Sequence, residues 1–214
     1  MRVVLIAAKQ LEFAKQRLAV TMAAAERRAL AEAMFRDVLG AAASARMADH
    51  VAVVSSDALL LRAARAAGAI VIDERFPRGL NAAVRIATEA LAREGAQALC
   101  VVLSDIPLVT GADIDAVFEA MPGPVGVALV PSRELSGTNI IGRTPADVIG
   151  TCFGRQSLMR HMESCERAGI PCEIVRLMGP AMDLDLMSDL ADFVRIPSST
   201  HTLNQLARLG ILQA

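Results

Sequence analysis

The sequence predicts an α/β fold in which helices cover both faces of a mostly parallel sheet. Short apolar runs alternate along the chain with segments whose apolar residues recur at helical spacing. The chain has 214 residues, of which 54% are hydrophobic, enough to bury the core of one domain spanning residues 1–214. No apolar run approaches the length of about 20 residues that a membrane span requires.

The strands are predicted from apolar runs of four to six residues that end at polar or turn-forming positions. A run without alternating polar residues is typical of a strand buried on both faces. Five such strands are predicted up to Pro131, and two more follow where the alternation with helices weakens. In chain order they are residues 3–7, 51–55, 69–72, 98–103, 125–130, 138–141 and 172–175.

The helices are predicted from apolar residues on one face and from residues that begin or end a helix. Thr21 is placed to cap the first helix, and Gly68 and Gly95 follow the ends of the second and third. The predicted helices are residues 21–46, 57–67, 79–93, 110–121, 156–168, 186–193 and a C-terminal helix at about 200–210. The last carries a leucine stripe, Leu203, Leu206 and Leu209, that must be covered by the chain's own domain or by a second copy in a homodimer.

The overall charge excludes several classes of partner. The formal net charge is −1 at pH 7, which argues against a strongly basic nucleic-acid surface, and no membrane partner is expected. The N-terminus has no pattern of a secretory signal, so we expect a cytoplasmic protein with free thiols. None of the cysteines lies in a zinc-binding pattern: Cys100, Cys152, Cys165 and Cys172.

The loop after the first strand carries Lys9, Lys15 and Arg17. Lys9 and Lys15 are the only two lysines in the chain. Ligands of a parallel sheet bind at the carboxyl ends of its strands, so these cations are placed to neutralise a triphosphate or a second phosphorylated substrate. The sequence contains neither a Walker loop nor a dinucleotide-binding glycine pattern after this strand. The alternative is a solvated basic loop without a ligand.

Three aspartates are candidate ligands of Mg²⁺, a cation that prefers oxygen ligands and bridges phosphates. Asp105 follows the fourth strand directly, and Asp183 and Asp185 alternate, which turns both toward one face of an extended segment. Two carboxylates on one face repel each other unless a cation lies between them. The alternative for Asp105 is a turn or helix-capping residue.

Two glycine-containing segments, at Gly137-Thr138 and from Gly154 to Ser157, join bare backbone to a hydroxyl group. The second lies where a helix begins, which favours an anion. His161, one turn further along, is expected to be a structural histidine rather than a base.

Taken together and in order, these motifs resemble the guanylyltransferases of coenzyme F-420 biosynthesis, whose members use 2-phospho-L-lactate, phosphoenolpyruvate or 3-phospho-D-glycerate. The resemblance runs from the first strand to Leu190 and leaves out the last helix. It is carried by Lys15-Gln16-Arg17, Gly79-Leu80-Asn81, Ser104-Asp105-Ile106-Pro107, Gly137-Thr138-Asn139, Phe153-Gly154 with Ser157 and His161, and Asp183-Leu184-Asp185.

The resemblance implies a GT-A-like nucleotidyltransferase fold and the transfer of GMP from GTP to a small phosphorylated acid, phosphoenolpyruvate first. It implies Asp105, Asp183 and Asp185 as metal ligands, and Lys9, Asn81 and Asp105 as nucleotide contacts. It assigns the phosphorylated acid to Lys15, Thr138, Gly154 and Ser157, with Lys9, Lys15 and Asp105 as the catalytic residues. Two alternatives remain: a related transferase that uses CTP or a sugar phosphate, and a nucleotide-binding module without activity.

Overall fold

One seven-stranded sheet organises the computed structural model, which describes residues 1–211. The strands are β1 (Arg2–Ala7), β2 (His50–Ser55), β3 (Ile70–Asp73), β4 (Ala98–Leu103), β5 (Gly126–Pro131), β6 (Thr138–Thr144) and β7 (Cys172–Ile174). Their order across the sheet is β3-β2-β1-β4-β6-β5-β7. All neighbouring strands are parallel except β6, which runs antiparallel to both β4 and β5. The predicted fold class, a mostly parallel sheet, is therefore confirmed. β6 is antiparallel to β5 because the connection between them is short, and only antiparallel neighbours can be joined by a short loop.

Helices cover both faces of this sheet, as predicted. They are α1 (Ala24–Ser44), α2 (Ala58–Ala66), α3 (Leu80–Arg93), α4 (Gly111–Ala120), α5 (Ser157–Ala168), α6 (Met187–Phe193) and α7 (His201–Arg208). Successive residues of β1 point to opposite faces, so Val4 and Ile6 join one apolar core and Val3 and Leu5 the other. The first core is closed mainly by α1, α2, α4, α6 and α7, and the second by α3 and α5.

The start of α1 corrects the prediction that Thr21 caps this helix. The Ala23 N–H donates to the Glu26 carboxylate at 2.7 Å, so the glutamate side chain reaches back to satisfy the helix start. The Thr21 hydroxyl instead donates to the Leu18 carbonyl at 3.3 Å. The segment before α1 is used for two short 3-10 turns, Leu11–Phe13 and Gln16–Leu18, which carry Lys15 between them.

The leucine stripe of α7 packs on the chain's own domain. Leu206 is fully buried, and Leu203 and Leu209 pack against the same apolar core as α1. The Asp37 carboxylate of α1 accepts hydrogen bonds from the His201 and Thr202 N–H groups at 2.7 and 2.9 Å, which fixes the start of α7. The stripe therefore needs no second copy to cover it, and the homodimer stays a prediction without this support.

Two further expectations concern the chain as a whole. All four cysteines are free thiols, as predicted from the lack of a pairing pattern. Within residues 1–211, no helix combines the length and the apolar composition that a bilayer crossing requires.

Candidate active site

A cleft of about 690 Å³ opens at the edge of the sheet where β1 and β4 end. The parallel strands bring their carboxyl-terminal loops together at this edge, while β6 contributes its first residues because it runs in the opposite direction. The cleft is lined by nearly every residue singled out in the sequence: Lys9, Arg17, Asp105, Thr138, Gly154, Ser157, Asp183 and Asp185. Lys15 and Asn81 are the two predicted site residues that do not line it.

Lys15 lies between two of the predicted metal ligands. Its Nζ atom donates to Asp105 Oδ2 at 2.8 Å and to Asp185 Oδ1 at 2.9 Å, and its side chain is only 6% exposed. The residue has a left-handed backbone, with φ at 52°, which is costly for a lysine and is tolerated where the surrounding structure requires it. Lys15 therefore reaches the carboxylates from the side of the β1 loop, and its predicted contact with the phosphorylated acid stays a prediction.

Lys15 and the two carboxylates that it contacts, Asp105 and Asp185, form a cluster in which opposite charges stabilise one another. Burial disfavours a charged ammonium, but the nearby Asp105 and Asp185 charges outweigh it and hold the pKa of Lys15 above its ordinary value. Burial likewise opposes the charge of Asp185, but Lys15 outweighs it and lowers the pKa of that carboxyl, with Arg17 and Lys9 contributing. Arg17 also reaches Asp185 Oδ2 at 3.4 Å, so both oxygens of this carboxylate face cations.

Asp183 is held by Asn139, a residue for which the sequence predicted no role. Asn139 Nδ2 donates to Asp183 Oδ1 at 3.3 Å and also to the Pro180 and Ala181 carbonyls at 2.9 and 3.2 Å. Burial and then the charge of Asp105 raise the pKa of Asp183. The adjacency of Asn139 to Thr138 in the motif was the available signal, but it did not indicate which backbone segment the amide would hold.

The fit of Mg²⁺ to these carboxylates follows from the atoms left free. Asp105 Oδ1 is buried without a hydrogen-bond partner, and Asp183 is close enough to Asp105 for their charges to interact unfavourably. Within residues 1–211, however, no three acidic, histidine or cysteine side chains converge as a ready metal site. Magnesium commonly uses one or two carboxylates together with substrate phosphates. Asp105 and Asp183 fit that description, whereas Asp185 is engaged by Lys15 and Arg17.

The cleft is also lined by two buried residues with hydroxyl groups, Thr138 and Ser157. The Ser157 hydroxyl accepts the Thr138 N–H at 2.8 Å, which ties the start of α5 to the start of β6. Gly154 lies three residues before Ser157, with φ at 117°, a conformation that side-chain-bearing residues rarely adopt. Apart from its chain neighbours, no atom lies within 4 Å of where its Cβ would be. Thr138, Gly154 and Ser157 are thus brought together as predicted, beside open space.

Asn81 is bound to the backbone of Phe153, and its predicted contact with the nucleotide stays a prediction. Its Nδ2 atom donates to the Phe153 carbonyl at 3.0 Å, and its Oδ1 atom accepts the Phe153 N–H at 2.7 Å. Both ends of the amide are therefore engaged by one residue 72 positions away. Asn81 positions the loop that carries Gly154, and the sequence could not reveal this because its partner is backbone.

Asn81→Ala is expected to lower the free energy of unfolding by about 1–3 kcal/mol, because two hydrogen bonds to the Phe153 backbone are lost. Denaturant unfolding measures this change. The exposed Asn204 of α7 provides the control, since Asn204→Ala removes no comparable pair. Equal stabilities of the two variants would contradict the positioning role of Asn81.

The family model described as "Guanylyl transferase CofC like" matches residues 1–213. The chain belongs to this family. The family resemblance seen in the sequence is therefore confirmed, and the chain is an enzyme of the guanylyltransferase type.

Curated relatives cover nearly the whole chain. A phosphoenolpyruvate guanylyltransferase of Sphaerobacter thermophilus is 36% identical over 89% of this chain and 91% of its own length. A 3-phospho-D-glycerate guanylyltransferase of Phenylobacterium zucineum is 37% identical over 92% and 91%, respectively. A 2-phospho-L-lactate guanylyltransferase of Methanothermobacter thermautotrophicus is 29% identical over 92% and 85%.

Solved structures confirm the nucleotidyltransferase fold. A protein of Desulfovibrio desulfuricans, assigned as a nucleotide-diphospho-sugar transferase, superposes with a TM-score of 0.78 at 19% identity, covering 99% of this chain and 96% of that one. A nucleotidyl transferase of Methanothermobacter has a TM-score of 0.63 at 16% identity, covering 95% and 98%. At these identities the likeness concerns the fold alone.

Proposed function

We propose that this enzyme transfers GMP from GTP to the phosphate of a small phosphorylated carboxylic acid and releases pyrophosphate. Phosphoenolpyruvate is the first candidate acceptor, followed by 3-phospho-D-glycerate and 2-phospho-L-lactate, in line with the names of the relatives. The observation that carries the proposal is that one cleft brings three kinds of group together. Cations, carboxylates and a pair of hydroxyls all line it.

The nucleotide end of the cleft is proposed to be the side of β1. Lys9 lines the main cleft and also a smaller adjoining cavity of about 160 Å³. This cavity has mostly apolar walls, including Phe13, Pro77 and Leu80, and its one carboxylate is that of Glu74. A purine ring suits such walls, and a carboxylate pairs with the N–H donors on the guanine edge, which adenine and cytosine do not present in the same pattern.

Glu74→Gln is expected to reduce the preference for GTP over ATP by about tenfold or more, since a paired base contact contributes roughly 1–3 kcal/mol of discrimination. The glutamine retains an oxygen for the Arg78 N–H, which Glu74 Oε1 accepts at 3.0 Å. The ratio of kcat/KM for the two nucleotides measures the effect. The exposed Glu94 is the matched control as Glu94→Gln, and an unchanged GTP preference in Glu74→Gln would place the base elsewhere.

The chemistry requires no general base from the protein. A phosphate monoester carries a charge of about −1.5 to −2 at pH 7, so its oxygen is already a nucleophile. A bond forms from this oxygen to the α-phosphorus of GTP as the bond from that phosphorus to the pyrophosphate oxygen breaks. Catalysis then depends on holding two anions in line and neutralising their charge. The transfer therefore needs neither a histidine base nor a cysteine nucleophile.

Each part of the cleft has a proposed task in that transfer. Lys9 and Arg17 lie exposed along the cleft, where they neutralise the triphosphate. Lys15 holds Asp105 and Asp185 in place as carboxylates. Asp105 and Asp183 are the proposed ligands of Mg²⁺, which when bound screens phosphate charge. Thr138, Ser157 and the Gly154 backbone hold the phosphorylated acid.

Pyrophosphate release tests the proposal when each of GTP, ATP, CTP and UTP is combined with each of the three acids and with a sugar phosphate. We expect release with GTP and at least one of the acids. Release with CTP or a sugar phosphate instead would favour a related transferase of the same fold. Binding of GTP without release under any combination would favour a nucleotide-binding module.

A further inference from the structure

His161 takes no part in the proposed chemistry, yet it touches the acceptor end of the cleft through Thr138. The side chain lies on α5 and is 0% exposed. Both ring nitrogens are paired: Nε2 with the Cys152 N–H at 2.9 Å and Nδ1 with the Thr138 hydroxyl oxygen at 3.0 Å. The residue lies one helical turn beyond Ser157, so the two share a face of α5.

The partner of Nε2 determines where the ring proton lies. A backbone N–H can only donate, so Nε2 must accept from Cys152 and carries no proton. In the neutral imidazole the proton is then on Nδ1, which donates it to the Thr138 oxygen. The hydrogen of the Thr138 hydroxyl is consequently free to be donated to another group.

The Ser157 hydroxyl is constrained in the same way. Its oxygen accepts the Thr138 N–H at 2.8 Å, a second backbone donor that cannot reverse its direction. Both residues line the cleft, and within residues 1–211 neither hydroxyl has a protein acceptor for its hydrogen. Two hydroxyl hydrogens are therefore available to the same part of the cleft.

We propose that His161 is a positioning residue that fixes the Thr138 hydroxyl as a hydrogen-bond donor toward the anionic oxygens of the acceptor. With Ser157 it makes this end of the cleft complementary to a group that can only accept, such as a phosphate or carboxylate. A sugar hydroxyl can accept from the same hydrogens, but it carries no negative charge to strengthen those bonds. This inference rests on the proposed function, because it concerns how the acceptor is held.

The surroundings of His161 keep its ring neutral and fixed in orientation. Burial, then the charges of Arg143 and Arg160, lower the pKa of His161 to about 4. The ring is therefore neutral at physiological pH and does not serve as a cation for the substrate. Phe153 packs edge-on against it, with ring centroids 5.4 Å apart. The ring thus links Thr138 on β6 to the loop that carries Gly154.

A double-mutant cycle between His161 and Thr138 tests the proposal, with acceptor and GTP KM values measured for phosphoenolpyruvate turnover. We expect His161→Leu and Thr138→Val each to raise the acceptor KM about tenfold, with the GTP KM within about twofold of wild type. In the Thr138→Val background, His161→Leu is expected to add at most about threefold. His50→Leu, at an exposed histidine, is the matched control.

Additive effects, or a GTP KM that rises as much as the acceptor KM, would overturn the proposal, because a merely structural histidine affects both substrates. The ¹⁵N shifts of the His161 ring in the wild-type protein give a second test that needs neither turnover nor a folded variant. We expect the neutral tautomer protonated at Nδ1. A ring protonated at Nε2 would overturn the assignment of the Thr138 hydroxyl as a donor. If the expected tautomer is found but the enzyme turns over none of the three acids, that result counts against the proposed function alone.

Discussion

Asp105→Asn is expected to reduce GTP-dependent pyrophosphate release by about a hundred- to a thousandfold, the range typical for removing one electrostatic contact to a transition state. Asp105 Oδ2 pairs with Lys15, and its buried Oδ1 has no partner among the described residues. Asparagine preserves the shape of the side chain but removes the charge that both the lysine and Mg²⁺ would use. The kcat at saturating GTP and acceptor measures the loss.

The fold is expected to survive this change, because Leu184 donates to the Asp105 backbone carbonyl at 3.2 Å and not to its side chain. Asp147→Asn serves as the control, since Asp147 is exposed and is not among the residues that line the cleft. If Asp105→Asn released pyrophosphate at the wild-type rate with unchanged dependence on Mg²⁺, Asp105 would be neither a metal ligand nor a functional partner of Lys15.

Lys15→Met is expected to lower kcat by about tenfold or more and to destabilise the protein by about 1–3 kcal/mol. Removing one partner of a fully buried ion pair costs about 3–5 kcal/mol, and the smaller figure reflects the partial exposure of both carboxylates here. Turnover and denaturant unfolding measure the two effects. From the sequence alone, the same variant is expected mainly to raise the acceptor KM. The observed ion pairs add an expected loss of kcat and of stability.

The pH profile separates these two accounts of Lys15. In the wild type, Lys15 outweighs burial and lowers the pKa of Asp185, so this carboxylate stays charged down to acidic pH. Without Lys15, burial acts with less opposition and the pKa rises. The acidic limb of kcat/KM is therefore expected to move to higher pH in Lys15→Met. Arg208→Met, at an exposed position of α7, should leave the limb in place.

Lys15→Arg is expected to restore the charge but only part of the activity, because the planar guanidinium is wider than the ammonium that fits between Asp105 and Asp185. Full activity in Lys15→Arg would show that the position requires charge alone. An acceptor KM that rises in Lys15→Met without any change in kcat or the pH profile would favour direct contact with the acceptor.

Local patterns were sufficient to predict most of the sheet and the place of Asp105. Buried parallel strands appear in the sequence as uninterrupted apolar runs, and the residue after such a run lies at the ligand-binding edge. The reversed direction of β6 left no such pattern, because an apolar strand reads alike in either direction. The cap of α1 was also missed, since Glu26 fulfils from within the helix the role assigned to Thr21.

The partners of individual side chains were harder to predict than the location of the cleft. Lys15 reaches Asp105 across 90 positions of sequence and Asp185 across 170. Asn81 pairs with backbone atoms, which every residue possesses, so no residue type marks its partner. The sequence could therefore indicate which loops meet, whereas the pairing within them depends on how the strands are ordered in the sheet.

Phosphorus NMR of the reaction products tests most directly whether GMP is joined to the acceptor's phosphate. With GTP and phosphoenolpyruvate, or whichever of the three acids reacts, we predict free pyrophosphate and a new pair of coupled signals from a diphosphate that links guanosine to the acid. The appearance of GDP with inorganic phosphate, or of pyrophosphate with free GMP and an unchanged acid, would contradict the account.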